Sequence, residues 1–530
     1  MKRHVHHTRH RLGALLVVAL LLAAGCSSGD DDSSGGTTPE STPTSQGDPN
    51  GTIRVGYDLN SPGAPWSFDP ATQTTGISVH DGWFYILYGR FLRPTEEGTL
   101  EPDMAESTEV VDANTIDIEL REGQTFSDGS PFDAAAVKAG LERTKALANE
   151  VNMTKPFYAL STITVNSPTS LTLGISDGTA ASWHDTFLSS FQTSIVKVAG
   201  YNPDKPIGAG PFSLTSYSPA QSASYDKYDG YWDADNITLG GIDIVEVTNE
   251  QVASGTAALS AGQLDVTITA PDQIPALTGD LELFSQADAN QQINMMMCKA
   301  DGPLADAKVR KAINKAIDRD AISAAVYADT TNPATQMWPE GHRFASPELD
   351  GELAYDLNAA KALMAESSYP NGFDMNLYSV SVFNLPDAAQ IIQAQLKELK
   401  INTTIIAGAQ FAPDYLAVNA PGLGLFPGSS AGVVKLDQWN GVGLVNTCDY
   451  NDPELAGVAG KLAKVSQGSD EAVDLWHQAN EIVIDEALSA FILFRTKLAA
   501  YDTATMSELA LWPLGSTCIP NPRQTEMKPS

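Results

Sequence analysis

Residues 98–143 read GTLEPDMAESTEVVDANTIDIELREGQTFSDGSPFDAAAVKAGLER, and they combine three kinds of local structure. Apolar and acidic residues alternate over 116–120, which predicts a strand with one buried face. The cluster SDGSP at 127–131 predicts a turn. Asp133 then stands at the N-cap position of a helix in which Val137 and Leu141 lie four residues apart on one face. The stretch therefore predicts a strand, a turn and a helix in succession.

The same stretch also carries a pattern of spaced positions. They are Ala105-Glu106, Asp112, Thr115, Leu120-Arg121, Gly123, Phe126 and Asp128-Gly129. This pattern resembles solute-binding protein family 5, the extracellular receptors of peptide and nickel ABC importers, in which these residues are structural and do not touch ligand. The resemblance extends from about residue 53 to 500, because similar blocks follow in the family's order at 206–236, 252–268, 304–326, 355–373 and 391–401.

The resemblance implies an α/β chain with the type II periplasmic-binding-protein fold of cluster C. Two lobes would flank a cleft and move about a hinge, with crossover strands near 285–296 and 500–506. Local patterns add helix N-caps at Asp306 and Asp320. The expected boundaries are a lipoprotein signal peptide at 1–26, a disordered tether at 27–50, a first lobe at 51–76, 205–284 and 505–530, a third subdomain inserted in that lobe at 77–204, and a second lobe at 285–504.

The N-terminus has the features of a bacterial lipoprotein signal peptide. Four basic residues within 2–11 precede the apolar run 12–23, which is too short to span a bilayer. The run ends in LAAGC, which resembles a lipobox, so Cys26 would become the lipidated N-terminus. A plain secreted protein that is cut nearby is the alternative interpretation.

Residues 27–50 contain no large apolar residue, so they predict a flexible tether. A lipid anchor on this tether would hold the protein at a bacterial cell surface or on the periplasmic side of the cytoplasmic membrane. The net charge of −33 argues against a nucleic-acid partner, because phosphates would be repelled. We expect a monomer.

The sequence offers little for metal binding or catalysis. The four histidines that follow the signal peptide are isolated, and neither HExxH nor Cys-x-x-Cys occurs, so we expect no metal and no cofactor. GSSAG at 428–432 fits the G-x-S-x-G motif with Ser430 as the nucleophile. Prolines and glycines interrupt the preceding strand that this motif needs, so a secreted serine hydrolase is the less favoured alternative.

Three cysteines would remain beside the lipidated Cys26, and disulfides persist outside the cytoplasm. Three thiols allow one bridge and leave one thiol over. We favour Cys448–Cys518, because both neighbourhoods, NTCDYND and GSTCIPN, are typical of loops. Cys298 follows an apolar run and is expected to be a buried free thiol.

The resemblance also implies where ligand binds. In the family the loop after the first strand lines the cleft, and here it contains Asn60, Trp66 and Phe68. A hydrophobic plug beneath the loop is an equally good interpretation of Trp66.

A second part of the expected site lies late in the chain. Peptide-binding relatives hold the ligand's amino group with an aspartate in an aromatic–acidic segment. The corresponding segment, 423–429, contains Phe426 but no acid. Asp437, beside Trp439, is the expected polar anchor in its place, with the aromatic residues as cleft walls.

The resemblance thus implies a substrate-binding lipoprotein of an ABC importer that is not an enzyme. It would capture a small solute between its lobes and deliver it to a permease with its ATPase subunits. Peptide is the family's default cargo, while glycoside, opine and metal chelate stay open. A non-transport receptor or chaperone on the same fold is the other alternative, which ligand uptake by cells lacking the protein would favour.

Overall fold

The structure is a computed structural model that describes residues 48–59, 67–72, 77–95, 99–147, 157–248, 251–297, 302–381, 383–408, 422–429, 432–439, 452–512 and 519–529. Within those ranges no helix is both long enough and apolar enough to cross a bilayer. The residues singled out from the sequence that fall outside them are Cys26, Asn60, Trp66, Cys298, Ser430, Cys448 and Cys518.

Strands and helices alternate along most of the chain. The strands are β1 Thr52–Tyr57, β2 Leu92–Pro94, β3 Leu100–Pro102, β4 Ala105–Asp112, β5 Thr115–Leu120, β6 Leu160–Val165, β7 Ser170–Ile175, β8 Phe212–Ser218, β9 Ser222–Lys227, β10 Gly241–Glu246, β11 Val266–Ile268, β12 Leu281–Met297, β13 Asn332–Pro333, β14 Phe373–Ser379, β15 Ile401–Ala407, β16 Leu423–Ser429, β17 Ser489–Asp502, β18 Met506–Glu508 and β19 Glu526–Met527. The helices are α1 Ile77–Tyr88, α2 Ala134–Leu147, α3 Ala180–Phe187, α4 Val252–Ser260, α5 Ala307–Ala316, α6 Arg319–Tyr327, α7 Leu357–Glu366, α8 Leu385–Lys397, α9 Pro453–Leu462 and α10 Asp470–Asp485.

One mixed sheet runs through the molecule in the order β15-β14-β16-β12-β17-β11-β1-β10-β9-β8, with β13 attached to β17. At one end β14 pairs in parallel with β15 and β16, and at the other β1 pairs in parallel with β10 and β11. Between them β12 and β17 form a long antiparallel pair. These two strands therefore connect the two parallel parts of the sheet. A separate antiparallel sheet has the order β4-β5-β7-β6.

The described residues form three large hydrophobic cores. The first surrounds β1 and includes Val55, Trp83 and Ile118. The second lies between the helices α5 and α8 and the strands β14 and β16. The third is built by α9, α10 and neighbouring loops around Trp338 and Trp476. The first core contains residues from both the expected first lobe and the expected inserted subdomain, and the boundary between them stays a prediction.

Residues 115–143 form the predicted strand, turn and helix. β5 contains residues 116–120 with every second side chain buried. Gly129 in the following turn has a φ of 81°, a left-handed conformation that glycine adopts without steric cost. Helix α2 begins at Ala134, and Asp133 caps it by accepting a hydrogen bond from the backbone N–H of Ala136 at 2.9 Å.

One of the two other predicted caps is correct and one is wrong. The carboxylate of Asp306 caps α5 by accepting from the N–H of Lys308 at 2.8 Å. Helix α6 is capped by Asp318, which accepts from the N–H of Ala321 at 2.9 Å, and not by Asp320. Asp318 has the extended backbone that an N-cap requires, whereas Asp320 already lies in the first turn.

The first crossover strand is β12, which contains the expected segment 285–296. The second is β17, and it begins well before the expected segment 500–506. Most of its first half is buried whichever way the side chains point. A strand that is buried on both faces has a continuous apolar sequence without alternation, so the residue at which it begins cannot be predicted from the sequence pattern.

Candidate functional site

The crossover strand β12 presents different side chains on its two faces. Ile293, Met295 and Met297 belong to the second core. Because side chains alternate along a strand, Gln292 and Asn294 lie on the opposite face, and they are only 1% and 2% exposed. Carboxamides buried in the middle of a sheet need hydrogen-bond partners, so this face is a candidate polar binding site.

Neighbouring elements bring aromatic side chains to that face. Phe426 of β16 and Phe491 of β17 are both paired with Asn294, and directly opposed residues share one face of a sheet. Trp439 ends the 3-10 helix Gly432–Trp439 and packs edge-on against Phe491, with 6.1 Å between ring centroids. We call this surface the amide face; its residues are Gln292, Asn294, Phe426, Trp439 and Phe491.

A glycine in β16 makes room for one of the carboxamides. Gly428 is paired with Gln292. A Cβ at position 428 would lie 2.9 Å from Nδ2 of Asn294, closer than non-bonded atoms tolerate. Any side chain at this position would therefore displace the carboxamide of Asn294.

The amide face contains polar atoms whose hydrogen bonds are not made. Oε1 of Gln292, Oδ1 of Asn294 and Nε1 of Trp439 are buried without a partner among the described residues. Nearly all buried polar atoms in proteins have a partner, and leaving one unpaired costs about 1–3 kcal/mol. Two acceptors and one donor on one surface suit a ligand that both donates and accepts hydrogen bonds.

The carboxamide of Gln292 is held in a fixed orientation. Its Nε2 donates to the backbone oxygen of Gln336 at 2.7 Å. The side-chain oxygen of Gln336 in turn accepts from Nδ2 of Asn480 at 2.7 Å and from the N–H of Ser346 at 2.8 Å. These bonds fix the loop that receives Gln292, so Oε1 is the atom of Gln292 that is left for a ligand.

The 3-10 helix that carries Trp439 rests on an aromatic side chain of the third core. Nζ of Lys435 lies 4.0 Å from the centre of the Trp338 ring, and His342 stacks on the same ring at 4.4 Å. Burial, and then the positive charges of Lys435 and Arg343, lower the pKa of His342 to about 4. The imidazole is therefore neutral at pH 7.

Strand β17 also carries an arginine, which stacks on a side chain that packs against the second core. Arg495 directly follows Phe494, the residue paired with Gln292, and its guanidinium lies 3.5 Å from the centre of the Phe383 ring. Stacked arginine is well suited to bind carboxylates, because its donors form a planar fork. Phe383, however, packs against the second core, on the side of β12 opposite to Gln292 and Asn294, so Arg495 is not part of the amide face.

The structure places part of the predicted ligand set on the amide face. Phe426 and Trp439 lie there, at 8% and 3% exposure. Asp437 belongs to the same 3-10 helix as Trp439, but its side chain lies outside the described part of the chain. The role of Asp437 as polar anchor stays a prediction, as do those of Asn60 and Trp66.

Phe68 lies elsewhere. Its ring is 2% exposed in the first core and packs edge-on against Tyr217, with 4.8 Å between centroids. The hydroxyl of Tyr88 donates to its backbone oxygen at 2.5 Å. These contacts fix the position of Phe68 within the first core, and a contact with ligand stays a prediction.

Sequence reasoning missed Gln292, Asn294 and Phe491 as parts of the site. For the two carboxamides the available signal was a polar residue inside an apolar strand, as in the run QQINMMM. Such a residue is costly to bury unless something pairs with it, so it indicates either a structural bond or a site.

Comparison with known proteins identifies the family. The sequence profile of the bacterial extracellular solute-binding proteins, family 5 Middle, matches residues 99–440. The glutathione-binding protein GsiB of Escherichia coli is 27% identical over 354 residues, which cover 64% of this chain and 67% of that protein.

Solved structures share the fold. NikA from Brucella suis in complex with Fe(III)-EDTA superposes with a TM-score of 0.77 at 17% identity, covering 90% of this chain and 100% of that one. The dipeptide-binding protein from Pseudoalteromonas sp. SM9913 in complex with Met-Leu gives a TM-score of 0.73 at 17% identity, with the same coverage. The predicted type II periplasmic-binding-protein fold is thereby confirmed. The chain belongs to the bacterial extracellular solute-binding proteins of family 5.

Proposed function

We propose that this protein is the extracytoplasmic receptor of an ABC importer, which captures a small solute on the amide face and delivers it to a permease. The family membership supports the transport role. The observation that carries the site is the set of buried, unpartnered polar atoms on Gln292, Asn294 and Trp439. A ligand that filled this place would complete hydrogen bonds that the described residues leave unmade.

The proposed cargo is a short peptide or a solute of similar chemistry. Among the relatives, GsiB is named for glutathione and a structural neighbour holds the dipeptide Met-Leu. In this chain the carboxamides of the amide face offer acceptors, and Trp439 and Phe426 offer apolar area. A short peptide has both the donors and the apolar side chains that suit these groups.

We propose binding without chemistry. The described side chains of the amide face are two carboxamides, two phenyl rings and an indole. None of these is a nucleophile or a general base. The prolines and glycines before Ser430 do not interrupt a strand, because β16 runs up to Ser429 between β12 and β14, so that argument against a hydrolase is wrong. Ser430 itself lies outside the described residues, and the relatives named above are binding proteins.

Lipid anchoring through Cys26 belongs to the same proposal. Its support is the basic and apolar segment before LAAGC and the polar tether that follows. Several acyl chains, each contributing about 0.8 kcal/mol per buried CH₂, would keep the receptor at the membrane.

The experiment begins with native mass spectrometry of the protein purified from its own host, which identifies the bound compound. Calorimetry with that compound then compares the wild type with Asn294→Leu, which keeps the side-chain size and removes the carboxamide. We expect an affinity loss of about 5- to 150-fold, because a buried ligand group would lose its partner at about 1–3 kcal/mol.

Thr403→Val provides the matched control. Its hydroxyl is also buried without a partner among the described residues, but it lies on β15 at the edge of the sheet. This variant should bind as the wild type does. Unchanged affinity in Asn294→Leu would show that the ligand does not use the amide face.

A further inference from the structure

A short helix of the first core contacts a loop next to the third core. The carboxylate of Asp185, on α3, accepts hydrogen bonds from Oγ of Ser466 and from the N–H of Gln467, both at 2.7 Å. Helix α3 is anchored in the first core by Trp183, whereas the loop 463–469 leads into α10, whose Trp476 is central to the third core. The contact thus joins the part of the chain built on the first core, which we call the first half, to the part built on the second and third cores, which we call the second half.

The loop that contacts Asp185 is held by hydrogen bonds to residues of its own half. Nε1 of Trp476 donates to the side-chain oxygen of Gln467 at 2.9 Å. The hydroxyl of Ser469 donates to the backbone oxygen of Ser466 at 2.7 Å and also caps α10. The two donors that face Asp185 are therefore already positioned before the halves meet.

The carboxylate of Asp185 is positioned equally well from its own side. Nδ1 of His184 donates to Oδ1 of Asp185 at 2.7 Å, and Nε2 of His184 lies 2.8 Å from the hydroxyl of Thr108. Burial acts to raise the pKa of the Asp185 carboxyl, but hydrogen bonds from His184, Ser466 and Gln467 outweigh it and lower that pKa. The group is charged at neutral pH, which strengthens both bonds to the loop.

The same helix borders the ligand-binding region. Helix α3 also approaches the 3-10 helix Gly432–Trp439, which carries Trp439 of the amide face and the predicted anchor Asp437. The bonds of Asp185 therefore lie on the side of the first core that faces the 3-10 helix Gly432–Trp439.

We propose that Asp185 and the loop residues Ser466 and Gln467 form a latch that holds the two halves closed over the amide face. The latch forms as the halves come together and breaks when they part. It rests on the proposed function, because only a receptor that opens and closes has use for it. Since both sides are positioned in advance, little ordering opposes its formation, and the charged bonds shift the equilibrium toward the closed form.

The test measures ligand-free protein, so it does not depend on finding the cargo. Small-angle scattering and hydrogen exchange compare the wild type with Asp185→Ala, Ser466→Ala and the double variant. We expect Asp185→Ala to increase the radius of gyration and to speed exchange in the loop 463–469 about tenfold or more, as expected for the loss of charged hydrogen bonds. The radius of gyration of the double variant should equal that of Asp185→Ala, because both changes break the same contact between the halves. Ser466→Ala also removes a bond within the loop, from the N–H of Gly468 to Oγ of Ser466 at 3.2 Å, so its loop exchange is not used for this comparison.

Asp177→Asn is the matched control. Asp177 lies just before α3 in the same half, its carboxylate accepts a bond from the neighbouring Ser176, and its φ of 62° is one that asparagine tolerates. It should leave both readouts unchanged. An unchanged radius and loop exchange in Asp185→Ala, or additive effects on the radius in the double variant, would overturn the latch. If Asp185→Ala fails to fold, the radius of gyration of Ser466→Ala decides alone.

A ligand search that found no cargo would contradict the proposed function while leaving the scattering result standing. The two failures are therefore distinguishable. A latch without cargo would indicate a receptor whose closure serves another signal.

Discussion

Arg319 is a buried cation that holds several chain segments together, and Arg319→Met should destabilise the second half of the protein. The residue is 3% exposed at the start of α6. Burial lowers its pKa to about 10, so the guanidinium is still charged at neutral pH. It donates at 2.7–3.3 Å to the backbone oxygens of Asn314, Ile317, Ala334, Leu353 and Phe491, and to the side-chain oxygen of Asn314.

The magnitude follows from what methionine leaves behind. Its side chain has a similar length but no donor, so the carbonyls that Arg319 serves lose a charged partner. Each buried acceptor left unpaired costs about 1–3 kcal/mol. Relief of the cost of burying a cation offsets part of this loss. We expect a net loss of about 3–5 kcal/mol in the free energy of unfolding, the size that marks a broken buried network.

Thermal melting and hydrogen exchange are the suitable assays, because a chain with several cores need not unfold in one step. Exchange should accelerate in α5, α6 and β17, which the guanidinium connects. The stability of Arg319→Lys should lie between those of the wild type and Arg319→Met, because one ammonium cannot reach so many acceptors. Arg343→Met is the control, because Arg343 is exposed and bonds only to the loop at Gly468 and Ser469 among the described residues. Equal effects in Arg319→Met and Arg343→Met would refute the reasoning.

Two further predictions concern pH and the membrane. Below pH 6.5 the unfolded chain protonates His342, whereas the folded protein, in which that pKa is about 4, does not, so stability should fall as the pH drops toward 4. In denaturation at pH 7 and pH 4.5, His342→Phe should lose about 2 kcal/mol less than the wild type; equal losses would contradict the assignment. Cys26→Ser should move the protein from the membrane fraction to the soluble fraction of its host, and equal retention would rule out the lipid anchor.

Local elements were predictable because their signals lie within a few residues of each other. The alternation in β5 and the caps Asp133 and Asp306 depend on neighbours alone, and the structure confirms them. The error at Asp320 has the same origin. Asp318 and Asp320 both fit an N-cap by residue type, and only the backbone conformation at Asp318 decides between them.

The site was predictable only in part, because the chain assembles it from distant segments. Phe426 and Trp439 were predicted from a resemblance to the family, and both lie on the amide face. Gln292 and Asn294 join them through strand pairings that span more than a hundred residues, which no local pattern reveals. The latch residues Asp185 and Ser466 are further apart still, in helix and loop sequences that look ordinary taken alone.

The pairing of β12 with β17 is irregular beside the amide face. The two strands are in register up to the pair Ala287 and Thr496, pairing resumes at Gln292 and Phe494, and a second shift follows between Ile293 and Asn294. Between these pairs β12 has residues 288–291, whereas β17 has Arg495 alone. A bulge of this kind disrupts the ladder and lets a strand bend, so the hinge that the family resemblance implies is expected here. Gln292 is the first paired residue beyond this bulge, so bending at the bulge should be felt at the amide face.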